Sequence, residues 1–363
     1  MTLHPDETIQ KALLSTPSRF VGAFEAEGIL LTHAWPGFHD SSASMRWLEG
    51  PASRSAYIFV FRTEVSEKGL GKSLPDYSPT GDIIAAYLSV LFGKRFDSHG
   101  LIEGTGFYHT PDYSQLGTLV NPSLPQNSHQ SRPDFGIPLD LSEAVRLTPL
   151  LLGAPLPIDF EHAFQGSAKF YFRALQIFEK DPEVAYLHLI SAGEILSNFH
   201  DFDKLDLLDE TTKQYLAYVR EGLENGVKVA SHFEGRLLLV KKRFVETIVD
   251  LVDEKFFERS EVEDGFGAFK VENFRKSIAA AYNLRSKFVH TGAPFGRWVS
   301  LRMGGRNNEV QIGKPVVNDR ELSNILGHAP TLVGLERVIR YCLFQFAVRH
   351  GALVKSENIP DKS

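Results

Sequence analysis

Cysteine occurs once in the 363 residues, at Cys342 in the apolar run 341–347. An intrachain disulfide is therefore impossible, and one thiol is too few for a structural zinc site built on cysteines. No apolar run approaches the ~18–20 residues of a membrane span. The first ten residues, MTLHPDETIQ, carry neither a basic stretch nor an apolar core of the secretory type. These absences lead to the expectation of a protein in a reducing cytoplasm, neither secreted nor inserted in a membrane. Positive charge is also in deficit, with 39 Lys and Arg against 45 Asp and Glu and a formal net charge of −6. Any contact with nucleic acid must then come from a local patch, because the whole chain offers no basic field.

Catalytic and nucleotide motifs are missing as well. Thirteen histidines are scattered without an HExxH pair, and no GxSxG elbow occurs. Gly71-Lys72-Ser73 has Ser66 where a phosphate loop needs its first glycine, and Leu74-Pro75-Asp76 breaks a helix instead of opening one. Gly104-Thr105-Gly106 lacks the third glycine and the following helix of a dinucleotide fingerprint and reads as a turn. No cofactor and no metal are expected. There is no low-complexity tract and no repeat at solenoid spacing.

With 43% hydrophobic residues the chain can bury a sizeable core, and its length suggests two domains. An α+β fold is expected: a strand-rich α+β part over 1–150, an all-α part over 159–350, and a flexible tail over 351–363. In the first part, the run from Phe20 to Thr32 and the run from Ser55 to Phe61 are of β type. A buried helix is expected over Ile83–Phe96, and short strands with turns over Leu101–Val120. The stretch 121–138 holds Pro122, Pro125, Pro133 and Pro138. It can propagate neither a helix nor an inner strand, so a surface loop is expected.

From Asp159 onward the period is helical. Helices are expected at about Phe160–Phe178, then after Asp181-Pro182, which supply an N-cap and a first-turn proline. Others follow at Asp209–Leu223, Phe233–Phe257 and up to His290, with a last one over Pro330–Ala347. Two β-type runs around Gly304-Gly305 signal a small hairpin near 297–315.

One stretch asks for an explanation. Val271, Phe274, Ile278, Ala281, Arg285 and Phe288 follow steps of three and four, so Arg285 occupies an apolar seam position. A buried guanidinium needs a partner, because desolvating a charge costs several kcal/mol. His290 lies in the last turn before Thr291-Gly292 and Pro294, where the carbonyl ends of the helix favour a cation, which suits a histidine to proton transfer. Ser286 shares its face. An arginine nearby can grip a phosphate bidentately. This is the minimal equipment for metal-free RNA cleavage. The plainer alternative is that Arg285 pairs within the helices with Glu194, in HLISAGEIL, while His290 only caps.

The RSKFVHTG stretch resembles the Arg-x4–6-His signature of the HEPN superfamily, the higher eukaryote and prokaryote nucleotide-binding domains. YNLRSKFVHTG together with FYFRALQIFEKDPEVAYLHLISAGEIL is similar to the ApeA-like branch, bacterial proteins linked to phage defence. The resemblance spans about 159–349. It implies a cytoplasmic homodimer that cleaves RNA without metal, with Arg285 and His290 catalytic, Ser286 in support and Glu194 orienting the arginine. It also implies a possible neighbouring defence-system protein as partner. Active relatives carry Asn, Asp or His where this chain has Ser286, and some relatives are non-catalytic, so an RNA-, nucleotide- or protein-binding module with an N-terminal sensor stands as the alternative. A local basic patch is expected from Arg236, Lys241, Lys242 and Arg243 on a helix, and from Arg297, Arg302, Arg306 and Lys314 around the hairpin.

Overall fold

The computed structural model describes residues 4–34, 54–65, 74–199, 208, 210–237, 240–262, 265–295, 298–299, 307–313 and 315–354, with no side chains described for 234–237. It is a mixed α/β structure with a six-stranded antiparallel sheet and eleven α-helices among the described residues. The strands are β1 (Glu7–Thr16), β2 (Phe24–Ala26), β3 (Ile29–His33), β4 (Ser55–Glu64), β5 (Asp97–Gly104) and β6 (Phe107–Tyr108). Their order across the sheet is β2-β3-β4-β1-β5-β6.

The run from Phe20 to Thr32 forms the β2–β3 hairpin, turning at Glu27-Gly28. The second β-type run becomes β4. The central strand β1 falls outside the expected strands, and its burial shows why. Ala12, Leu13, Leu14, Ser15 and Thr16 are all buried, so both faces are covered and the alternation that betrays a half-exposed strand is absent.

Helix α1 spans Ser78–Phe92, beginning and ending about four to five residues earlier than expected. Pro79 sits in its first turn, where a missing N–H costs nothing. Gly93 then ends it in the left-handed region, its N–H bonded to the Ser89 carbonyl. Thr105 and Gly106, both at positive φ, make the β5–β6 turn.

After a 3-10 turn at Leu141–Leu147 come α2 (Thr148–Leu151), α3 (Ile158–Ile177), α4 (Pro182–Phe199) and α5 (Glu210–Gly222). The Asp181 carboxylate accepts from the Val184 N–H, the cap that its sequence suggests. The single helix expected over Phe233–Phe257 is instead divided among α6 (Gly226–Leu237), α7 (Val240–Leu251) and α8 (Glu254–Glu258). Asp253 makes the second break: it leaves helical geometry and caps α8 through the Lys255 N–H. Helix α9 (Val271–Thr291) follows, then α10 (Arg320–Leu326), which lies beyond the expected set, and α11 (Leu332–Arg349). The residues of the expected hairpin at 297 and 300–306, and Lys314, lie outside the described residues.

The proline-rich stretch differs most from expectation. Leu124, Gln126, Asn127, Arg132, Asp134 and Ile137 are buried. The backbone is irregular, as the prolines require, but the segment is drawn inward by its charges. Arg132 forks onto Glu336 of α11, Nη1 to Oε1 at 3.1 Å and Nη2 to Oε2 at 2.9 Å, and also donates to the Gly93 carbonyl. Its Nε donates to Glu261. The Tyr171 hydroxyl of α3 donates to Glu336 at 2.6 Å. One turn along α11, Arg340 donates to the carbonyls of Val90 and Leu91 and lies 3.1 Å from Asp134. Arg337 meets Glu309 at 2.5 Å. This buried network ties the end of α1, the proline-rich segment, α3 and α11 together, and the apolar core around it runs without interruption from Leu14 to Leu353.

Burying paired charges is worth little by itself, but breaking such a pair leaves an uncompensated charge. Glu336→Ala, which strands Arg132 and Tyr171, should cost roughly 3–5 kcal/mol in urea unfolding. Arg349→Ala, at the half-exposed pair with Asp250, should cost about 1 kcal/mol or less.

Lys94 supplies a pH test. It is fully buried and donates to the Pro125 carbonyl and the Ser128 hydroxyl. Burial, and next the neighbouring Arg132, bring its pKa down to about 7. Below that pH the folded state carries the full penalty of a buried ammonium. As pH rises from 7 to 8.5, Lys94 loses its proton in the folded state while the unfolded chain keeps it, so stability should rise. In Lys94→Met that gain should be absent from denaturation midpoints measured across the window.

Candidate functional site

Helix α9 buries Phe274, Ser277, Ile278, Ala280, Ala281 and Leu284. Its stripe therefore runs through Leu284, which is wholly buried, and leaves Arg285 on the flank. This corrects the expected seam: both residues lie within about 40–60° of the stripe, and the shorter apolar side chain takes the centre. Val271, at the other end of the expected seam, is exposed.

Arg285 has a side-chain exposure of 27%, and its Nη2 donates to Glu194 Oε2 on α4 at 3.3 Å. Its guanidinium carbon lies 5.7 Å from the centre of the Tyr282 ring, one turn back on α9. Tyr282 completes the group and was not singled out as a site residue from the sequence. Its phenol is raised above its ordinary pKa by partial burial first and then by Glu194, acting as a nearby charge and as acceptor, while Arg285 opposes the rise. The i, i+3 spacing of Tyr282 and Arg285 was the available signal.

His290 is exposed in the last turn of α9. Gly292 closes the helix in the left-handed region, its N–H returning to the Phe288 carbonyl. Thr291 Oγ1 donates to the Lys287 carbonyl. Lys287 pairs with Asp319 and Glu321 at 2.8 Å each, fixing this end of α9 to the start of α10. Ser286 is half-buried. Five residues of helix turn through about 500°, so Arg285 and His290 point some 140° apart and one copy of α9 does not bring them to one spot.

Of the residues expected to form a basic patch, three have described side chains. Arg243 on α7 donates through Nη2 to Asn198 Oδ1 on α4, and Lys241 and Lys242 precede it, both half-buried. The side chain of Arg236 and the residues Arg297, Arg302, Arg306 and Lys314 lie outside the described residues. Among the described residues, no three His, Cys, Asp or Glu side chains are grouped to hold a metal. No described helix is long and apolar enough to cross a membrane. Comparisons with family models, with curated proteins and with solved structures return no match to this chain.

The Tyr282–Glu194 contact can be read directly. The alkaline absorbance titration of the protein minus that of Tyr282→Phe isolates this phenol. In a Glu194→Gln background its pKa should move down towards the ordinary value near 10. An unmoved titration would mean that Glu194 does not reach the ring in solution.

Proposed function

We propose that the chain is a metal-independent endoribonuclease of HEPN type, in the ApeA-like branch, working as a homodimer in bacterial defence or stress responses. On this reading residues 159–350 form the all-α HEPN-like part and residues 1–150 an α+β part. The observation that carries the reading is the pairing of an exposed His290 with a half-exposed Arg285 that Glu194 holds at the flank of the same helix. The divergence of the two side chains on α9 favours two copies, each supplying what the other lacks.

The chemistry needs no bound ion. Neutral His290 takes the proton of the ribose 2′-hydroxyl, the 2′-oxygen bonds to phosphorus, and the bond from phosphorus to the 5′-oxygen breaks. The histidine of the second copy, as imidazolium, gives its proton to the departing 5′-oxygen. Arg285 forks onto the non-bridging oxygens as charge builds on them. The products are a 2′,3′-cyclic phosphate and a free 5′-hydroxyl. Ser286 lies beside the arginine in support. The alternative is a non-catalytic module that binds RNA or a protein partner, which the balanced charge of the Arg285–Glu194 pair would suit.

End-labelled single-stranded RNA incubated in EDTA separates the two. Cleavage should leave cyclic phosphate ends, should fall by about 10²–10⁴ in His290→Ala, and by about 10²–10³ in Arg285→Ala. Equal cleavage by wild type and His290→Ala, or none by either, overturns the enzymatic reading. Sedimentation as a monomer at working concentration overturns the dimer.

A further inference from the structure

Helix α4 presents Glu194 and Asn198 one turn apart, and each holds an arginine from a different helix. Glu194 holds Arg285 of α9, and Asn198 holds Arg243 of α7. Four residues of α-helix rise roughly 6 Å, so the two anchors are spaced on the order of one step between adjacent phosphates of a single strand.

The arrangement depends on one glycine. A Cβ on Gly193 would lie 2.5 Å from Phe244 Cε2, so only glycine lets α7 approach α4 this closely. Phe244, next to Arg243, then reaches the Tyr282 ring at 5.4 Å. Arg243, Tyr282 and Arg285 are thereby drawn to the same edge of α4.

The charges there are unequal in a useful way. Glu246 of α7 is occupied by Arg275, and Asp250 by Arg349. Among the described residues Arg243 meets a neutral amide, and its buried Nε has no acceptor. That contact holds the guanidinium in place without setting a negative charge beside it. A fork so held is suited to a phosphate oxygen pair. Tyr282, half-buried beside Arg285, offers a ring against which a base released from its neighbours can stack.

We propose that Arg243 is a second phosphate clamp, one nucleotide away from the phosphate at Arg285, with Tyr282 stacking the base between them. This rests on the ribonuclease reading and makes its substrate single-stranded RNA, because a base held in a duplex cannot reach the ring. Asn198 acts through Arg243 as a positioning residue.

The test uses the full-length protein and a labelled single-stranded RNA hexamer whose 2′-hydroxyls are replaced by hydrogen, so that it binds without being cut. Affinity is measured against salt, with cleavage of the unmodified hexamer alongside. Arg243→Ala should weaken binding about tenfold and reduce the slope of log affinity against log salt by about one phosphate contact. It should raise KM and leave kcat near wild type. Arg243→Lys should keep the slope and lose part of the affinity. Asn198→Ala should keep the slope too, with KM raised and kcat unchanged. Tyr282→Ala should lose about tenfold where Tyr282→Phe keeps stacking. Thermal melts matching wild type show that these variants fold, and the Lys and Phe forms carry the test where the Ala forms do not. If Arg243→Ala and Arg243→Lys bind with wild-type affinity and slope while His290-dependent cleavage persists, the second clamp is wrong and the ribonuclease reading stands. If the wild type neither binds nor cuts the RNA, both fall.

Discussion

A carboxylate and a guanidinium taken out of water together, Glu336 and Arg132, set the frame on which everything else sits. Each is almost wholly buried, and the fork fixes the guanidinium plane relative to α11. Arg132 also bonds the carbonyl of Gly93, so the end of α1 is fixed in turn. Gly93 is constrained twice over. Its φ is +62°, and a Cβ would come within 2.4 Å of Arg340 Nε. With Tyr171 on the same carboxylate, the relation between α1, α3 and α11 tolerates little sliding, since any slip would strand a charge whose desolvation has already been incurred.

The candidate site inherits its geometry from that frame through α4. The buried face of α4, with Ala185, Tyr186, Leu189, Ile190, Ala192, Gly193 and Leu196, packs against α3, α7, α9 and α11. Its opposite edge carries Glu194 and Asn198 outward. The apolar side of the helix therefore decides where the polar side stands, and Gly193 decides how close α7 comes. Helix α9 is fixed at one end by the aromatic contacts of Phe274 with Phe256 and Phe269, and at the other by Lys287 on α10. Between these points Arg285 and Tyr282 have little freedom to leave Glu194.

Some of this was legible in the residues and some was not, for physical reasons. Helices with a hydrophobic period and a cap, such as α3 and α4 with Asp181-Pro182 between them, announce themselves because local rules and packing agree. The pairing of Arg285 with Glu194 was also readable, since a charge near an apolar stripe needs a nearby opposite. Strand β1 was not, because a strand covered on both faces loses its alternation. Nor was the network on α11: Glu336, Arg337 and Arg340 look like an ordinary solvated face until Arg132 and Asp134, some two hundred residues away, meet Glu336 and Arg340, and Glu309 meets Arg337. Partners that distant leave no periodic mark. Tyr282 falls between, being at helical spacing from Arg285 but indistinguishable in sequence from any other aromatic on a helix.

The arginines also separate by environment. Arg132, Arg337 and Arg340 are buried, and each is gripped by several acceptors, carboxylate and carbonyl together. Such groups are committed to the frame, and moving one breaks the contacts it already makes. Among the described residues Arg285 keeps one hydrogen bond, at 3.3 Å, besides the Tyr282 ring, and about a quarter of its side-chain surface, and Arg243 keeps a neutral partner. A group that is held yet incompletely satisfied can exchange or add a partner at small cost, which is what binding a phosphate demands. In a chain whose net charge is −6, any anion site must rest on such local differences, because the whole chain offers no basic field. Fully enclosed cations build the fold, while Arg285 of α9 and Arg243 of α7 are anchored one turn apart on the outer edge of α4.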